Sequence, residues 1–169
     1  FIILLILMVT LSIGLSFILP EPFNRINVII VFMILWLFKR PNGAIVWFSF
    51  FSFYIIDLVT LSPFGISLFA GTFSMLLVYW TYRFVLSNRS IISVTTLTFI
   101  AVIVYRILYI LVYNLYLFVN DSPTIWSELI LATSVESLLT SIVVFILYFI
   151  LFYRKNKSVK SISKYGFVS

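Results

Sequence analysis

Six apolar segments, separated by five short breaks, leave this chain few ways to fold. The breaks fall at "PEPFNR" (20–25), "KRPNG" (39–43), "LSPFG" (61–65), "LSNRS" (86–90) and "NDSPT" (120–124), and each mixes Pro, Gly, Asn or charge as turns do. The segments between them run over about 1–19, 23–38, 44–60, 64–86, 91–119 and 126–153. A helix needs roughly 20 apolar residues to cross a hydrocarbon core about 30 Å thick. The second segment is the shortest and is expected to cross with local thinning or snorkelling flanks. With 63% hydrophobic residues, 9% charged and a mean hydropathy of +1.23, the chain lies far from a soluble domain. The expectation is an all-α integral membrane protein, with six transmembrane helices in one compact bundle over 1–153 and a basic cytoplasmic tail over 154–169.

The first segment, "FIILLILMVTLSIGLSFIL", has neither a basic leader nor an A-x-A-like cleavage site, so it is expected to be a retained helix. Loop charge then sets the orientation. In a six-span alternation Lys39, Arg40, Arg83, Arg89, Arg154, Lys155, Lys157, Lys160 and Lys164 share one side. Arg25, Glu21, Asp121 and Glu128 lie on the other. Both termini are therefore expected in the cytoplasm. The tail "RKNKSVKSISK" reads as a topology anchor or a site for anionic lipid or a cytoplasmic partner. Trp36, Trp47, Tyr79, Trp80, Tyr82 and Trp126 stand where interfacial aromatic belts form.

The chain contains no Cys and no His. That removes thiol nucleophiles, disulfides, the soft metal ligands and the near-neutral imidazole base, and no cofactor is expected. The +6 net charge sits in loops and the tail, the pattern of topology signals, and does not indicate nucleic-acid binding.

Two helical stripes are too small or polar to face lipid. In the fourth segment Ser67, Ala70, Gly71 and Ser74 recur at i, i+3, i+4 and i+7, a face that admits another backbone closely. Gly71 and Ser74 are expected to contribute to partner contacts. In the sixth, Thr133, Glu136, Ser137, Thr140 and Ser141 repeat the spacing. This stripe must face protein or a wet cavity, through internal packing, a ligand cavity or a docking surface.

Three ionisable groups lie inside segments: Asp57, Arg106 and Glu136. Each would cost about 2.5–3.5 kcal/mol at a helix centre facing lipid, so partners are required. Counted from a turn near residue 122, Arg106 and Glu136 fall at nearly equal depth, which predicts an ion pair across the last hairpin. Tyr109 and Tyr113 follow Arg106 at i+3 and i+7 and extend the network. Asp57 lies closer to its own turn. It has two readings: Arg106 leans toward it, or it accepts local hydrogen bonds around "TLSPFG", bracing the break that Pro63 makes. The second is preferred. Paired carboxylates also serve acid–base chemistry, but no catalytic set accompanies Asp57 and Glu136, and an enzyme is not expected.

The stretch "YIIDLVTLSPFGISLF" (54–69), preceded by "LWLFKRPNGAIVWFSF", resembles the central region of the MreD family of rod-shape-determining membrane proteins. Asp57, Leu58, Pro63, Gly65 and Leu68 match by type, as do Lys39, Arg40 and Pro41 in the preceding turn. The resemblance covers about residues 20–80 and implies a non-enzymatic component of the cell-elongation (rod) complex. Such a protein binds MreC in the membrane. It helps couple MreB filaments to the transpeptidase and glycosyltransferase of peptidoglycan synthesis. A second reading is a substrate-binding S component of an energy-coupling-factor vitamin transporter, also a compact six-helix protein, which would hold its ligand through Arg106, Glu136 and the tyrosines.

Overall fold

The computed structural model describes residues 2–60, 63–85, 90–119 and 126–153. Six α-helices follow in order: α1 (Ile2–Ile18), α2 (Val28–Lys39), α3 (Ala44–Val59), α4 (Ile66–Phe84), α5 (Ile91–Val119) and α6 (Trp126–Tyr148). A 3₁₀ turn, Phe23–Arg25, precedes α2, and α6 runs on into a π-helical end, Phe149–Tyr153. The described residues contain no strand. The tail 154–169, the connection 120–125 and the side chain of Trp126 lie outside the described residues.

Local chemistry explains the helix ends. Asn27 starts α2, its side-chain oxygen accepting a hydrogen bond from the Ile30 N–H at 3.2 Å. The second helix thus begins five residues later than the sequence segment, because Phe23–Arg25 closes a tighter turn first. Arg40 ends α2 in an extended conformation (φ −137°, ψ 95°), as expected of a residue whose successor, Pro41, clashes with a helical neighbour. Gly65, at φ 98°, begins α4 in a left-handed geometry that a side chain would strain.

The bundle is organised around its shortest helix. α2 touches α1, α3, α5 and α6, and its Ile29, Ile30, Met33, Ile34, Leu37 and Phe38 are all at most 1% exposed. A helix apolar on every side belongs in an interior, and α2, 12 residues long or about 18 Å, forms the axis of this one. Around it α3, α4, α5 and α6 pack as successive neighbours. Tyr82, expected at an interfacial belt, is buried instead. It shares a face with Met75 and Val78 and meets the Phe38 ring edge-on at 4.9 Å. Trp36 packs between Phe32 and Phe48, whereas Trp47 and Trp80 are exposed.

The outer surface has the opposite character from that of a soluble bundle. Large apolar side chains stand exposed along the flanks of α1, α3, α4, α5 and α6, among them Leu7, Phe51, Phe73, Leu111 and Ile142. Two stretches, Ile91–Phe118 and Thr133–Leu151, are long and apolar enough to cross a membrane. Leu5–Ile18, Val28–Lys39 and Ala44–Val59 are apolar but shorter.

Candidate functional site

The polar interior divides into two clusters, one for each buried carboxylate. Glu136, on α6, is 2% exposed and faces Arg106 of α5. The Arg106 Nε and Nη2 groups both donate to its Oε2 oxygen. The other oxygen, Oε1, accepts from the Asn27 side-chain nitrogen at 3.3 Å. One helical turn further along α6, the hydroxyl of Thr140 accepts the main-chain N–H of Asn27 at 3.2 Å. Asn27 therefore works in three directions: its oxygen caps α2, its amide nitrogen holds Glu136, and its backbone holds Thr140. The bonds to the Glu136 carboxylate are charge-assisted and the stronger ones, and together with the neutral bonds of Asn27 they tie the entry to α2 onto the α5–α6 hairpin.

Aromatic rings extend the cluster along α5. The guanidinium carbon of Arg106 lies 5.9 Å from the Tyr109 ring centroid, within cation–π range. Tyr109 stacks on Tyr113 at 6.0 Å and 12°. One residue back, Tyr105 stacks on Phe53 of α3 at 5.3 Å, with its phenol beside the Ser67 hydroxyl of α4. The Arg106 side chain is 26% exposed, so the pair is closed on the Glu136 side and open on the arginine side. The separate pair Arg25–Glu21, at 3.6 Å, is more exposed and adds little stability.

Asp57 forms the second cluster. It is 4% exposed, and its Oδ2 oxygen accepts the N–H groups of Gly65 and Leu68, both at 2.9 Å. These are two of the donors that the first turn of α4 leaves unpaired, and a carboxylate there also meets the positive end of the helix dipole. Gly65 has no side chain with which to cap, so Asp57 caps α4 from the end of α3. Its Oδ1 oxygen is buried without a hydrogen-bond partner among the described residues. Of the two readings of Asp57, the geometry is the local one, and the Arg106 side chain is engaged with Glu136. Pro63 stands in the same turn; Leu61 and Ser62 lie outside the described residues.

The small-residue stripe of α4 is a close-packing face, as its spacing indicates, but the expectation that it serves a partner requires a correction. Gly71 and Ser74 do not form an outward face for a partner, because α3 already covers them. A Cβ placed on Gly71 would clash with the Phe53 ring, the Ser49 hydroxyl donates to the Gly71 carbonyl at 3.0 Å, and Ser74 donates to the same carbonyl at 2.9 Å. Ala70 and Ser74 are fully buried. On α6, Glu136, Ser137, Thr140 and Ser141 are all buried too, with Ser137 donating to the Ser134 carbonyl at 3.0 Å. Both stripes are consumed largely by packing inside the chain.

Asn27 is the residue that sequence reasoning missed. Its signal was an Asn directly before the apolar run "VIIVFMILWLF", a helix-start pattern, although the long-range bonds to Glu136 and Thr140 have no local signature. Comparison with protein-family models, curated proteins and solved structures finds no match.

Proposed function

We propose that this chain is a six-span protein of the bacterial cytoplasmic membrane with both termini in the cytoplasm. On this reading it is a non-enzymatic, MreD-like component of the cell-elongation complex. It binds an MreC-like membrane protein and, through it, helps couple MreB-like filaments to the elongation transpeptidase and glycosyltransferase. The observation that carries the reading is how the buried charges are used. Glu136 is held by Arg106, Asn27 lies against both Glu136 and Thr140, and one oxygen of Asp57 caps α4. These groups brace helices against one another, while the flanks present apolar side chains for lipid and for other helices. The shorter helices suit a bundle that thins the bilayer locally, and the stretch 54–69 supplies the family resemblance.

Depletion of the protein in its host tests the proposal. Cells should lose rod shape and widen before growth stops, and the MreC-like protein should copurify with the tagged chain. Unchanged shape together with no copurification would reject it. The transporter reading draws on the open side of Arg106 beside Tyr109 and Tyr113. It would be favoured by saturable binding of a vitamin-sized ligand that is lost in Arg106→Met.

A further inference from the structure

The ring of helices around α2 has an open seam. Among the described residues α1 packs on α2 and α3, and α6 on α2 and α5, but α1 and α6 do not form a packed pair. The cleft between them has a volume of about 200 Å³; Leu11 and Leu15 form one wall, Val143 and Leu147 the other, and Val31 of α2 the floor. Ser16, at its edge, spends its hydroxyl on the Ile13 carbonyl at 2.7 Å. The Phe23–Arg25 turn roofs the cleft through Phe23. At this rim Arg25 and Glu21 pair at 3.6 Å, their side chains 33% and 72% exposed. The rim lies low in the molecule. Asn27, two residues further on, shares the level of Glu136 and Arg106, and α5 continues from Arg106 to Val119, about 20 Å of further helix. A polar turn set so far below the end of the α5–α6 hairpin requires the headgroup layer to dip on the α1 side.

We propose that this cleft holds one phospholipid with a zwitterionic, primary-amine headgroup, its acyl chain between α1 and α6, its phosphate on Arg25 and its ammonium on Glu21. The inference rests on the reading of the chain as a membrane-spanning bundle and goes beyond its binding of other proteins. Three observations specify the occupant. One turn of helix, about 5.4 Å long and 10 Å wide, displaces roughly twice the volume of the cleft, so a partner helix does not enter, whereas a single hydrocarbon chain does. Water is excluded too, because an apolar cavity of this order stays dry. The rim carries one charge of each sign, 3.6 Å apart and both reachable from outside. That arrangement complements a headgroup whose phosphate and ammonium are neighbours, while a purely anionic headgroup would meet Glu21 with like charge.

Native mass spectrometry of the full chain in mild detergent reads the site, with phosphatidylethanolamine, phosphatidylcholine and phosphatidylglycerol of identical acyl chains added in turn. Phosphatidylethanolamine should be retained about fivefold more than either of the others, the most that one exposed ion pair gives. Glu21→Lys leaves two cations on the rim and should reverse the order in favour of phosphatidylglycerol. Leu11→Trp fills the cleft from an exposed position and should lower retention of all three lipids by about tenfold, the worth of two methylenes left unburied, without changing the folded yield. Equal retention of the three lipids by the parent, retention unchanged in Leu11→Trp, or an order unchanged in Glu21→Lys would each overturn the site. Alkaline extraction of the chain from its own membranes is measured alongside. A chain that washes off removes the membrane reading and the site together, whereas an integral chain without lipid preference removes the site alone.

Discussion

Replacing Arg106 by Met tests the central ion pair, because it removes the guanidinium while keeping an unbranched apolar stem. Glu136, 2% exposed, would retain the Asn27 bond on Oε1 and lose both donors to Oε2. Removing one partner of a buried pair costs about 3–5 kcal/mol, and a carboxylate left in hydrocarbon about 2.5–3.5 kcal/mol. The two ranges meet near 3 kcal/mol, the loss expected for Arg106→Met. Glu136→Gln should cost less, roughly 1.5–3 kcal/mol for a lost charge-assisted bond, because Arg106 is partly exposed and its head can reach a wetter position. The double variant Arg106→Met/Glu136→Gln removes both charges and should recover at least half of the loss of the arginine variant. Thermal unfolding of detergent-purified protein, followed by fluorescence-detected size exclusion, ranks the four proteins. Losses that simply add in the double variant, or an arginine variant as stable as the parent, would refute the coupling.

Asp57→Ala leaves the Gly65 and Leu68 N–H groups without their acceptor and should cost about 2 kcal/mol, the upper range for a lost helix cap; hydrogen exchange at these two amides should accelerate. Gly71→Leu drives a side chain into the Phe53 ring and should cost about 1–3 kcal/mol as an overpacked core. Shortening the neighbour in Gly71→Ala/Phe53→Leu should restore folded yield relative to Gly71→Ala alone, measured by size exclusion. Reporter fusions after Ser169 and within 120–124 should place the first in the cytoplasm and the second outside it; a C-terminus outside the cytoplasm would reverse the proposed topology.

Helix number and most helix boundaries were legible because breaks are written locally: Pro41 stops α2, and Gly65 starts α4 with its positive φ. The Arg106–Glu136 pair was legible for a different reason. Two intrahelical charges in one hairpin at equal depth have few other partners, so simple rise arithmetic brought them together. The role of Asp57 followed from its distance to Pro63 and the unpaired amides beyond it. Other features had no such handle. Periodicity shows which face of a helix is small but not which helix will cover it, so the Gly71 and Ser74 face could be assigned outward when Phe53 and Ser49 in fact occupy it. α2 is apolar on all sides and has no polar face to orient it, which hid its place at the bundle axis. Asn27 was legible as a helix start and illegible as a link to residues more than a hundred positions away.

The central claim is that the chain acts by holding other membrane proteins. Native mass spectrometry of the tagged full chain, released from its own membranes in mild detergent, tests this most directly. The account predicts a complex of defined stoichiometry with the MreC-like protein that persists in Asp57→Asn. A chain that instead emerges with a transporter ATPase, or carrying a vitamin-sized ligand displaced in Arg106→Met, would contradict it.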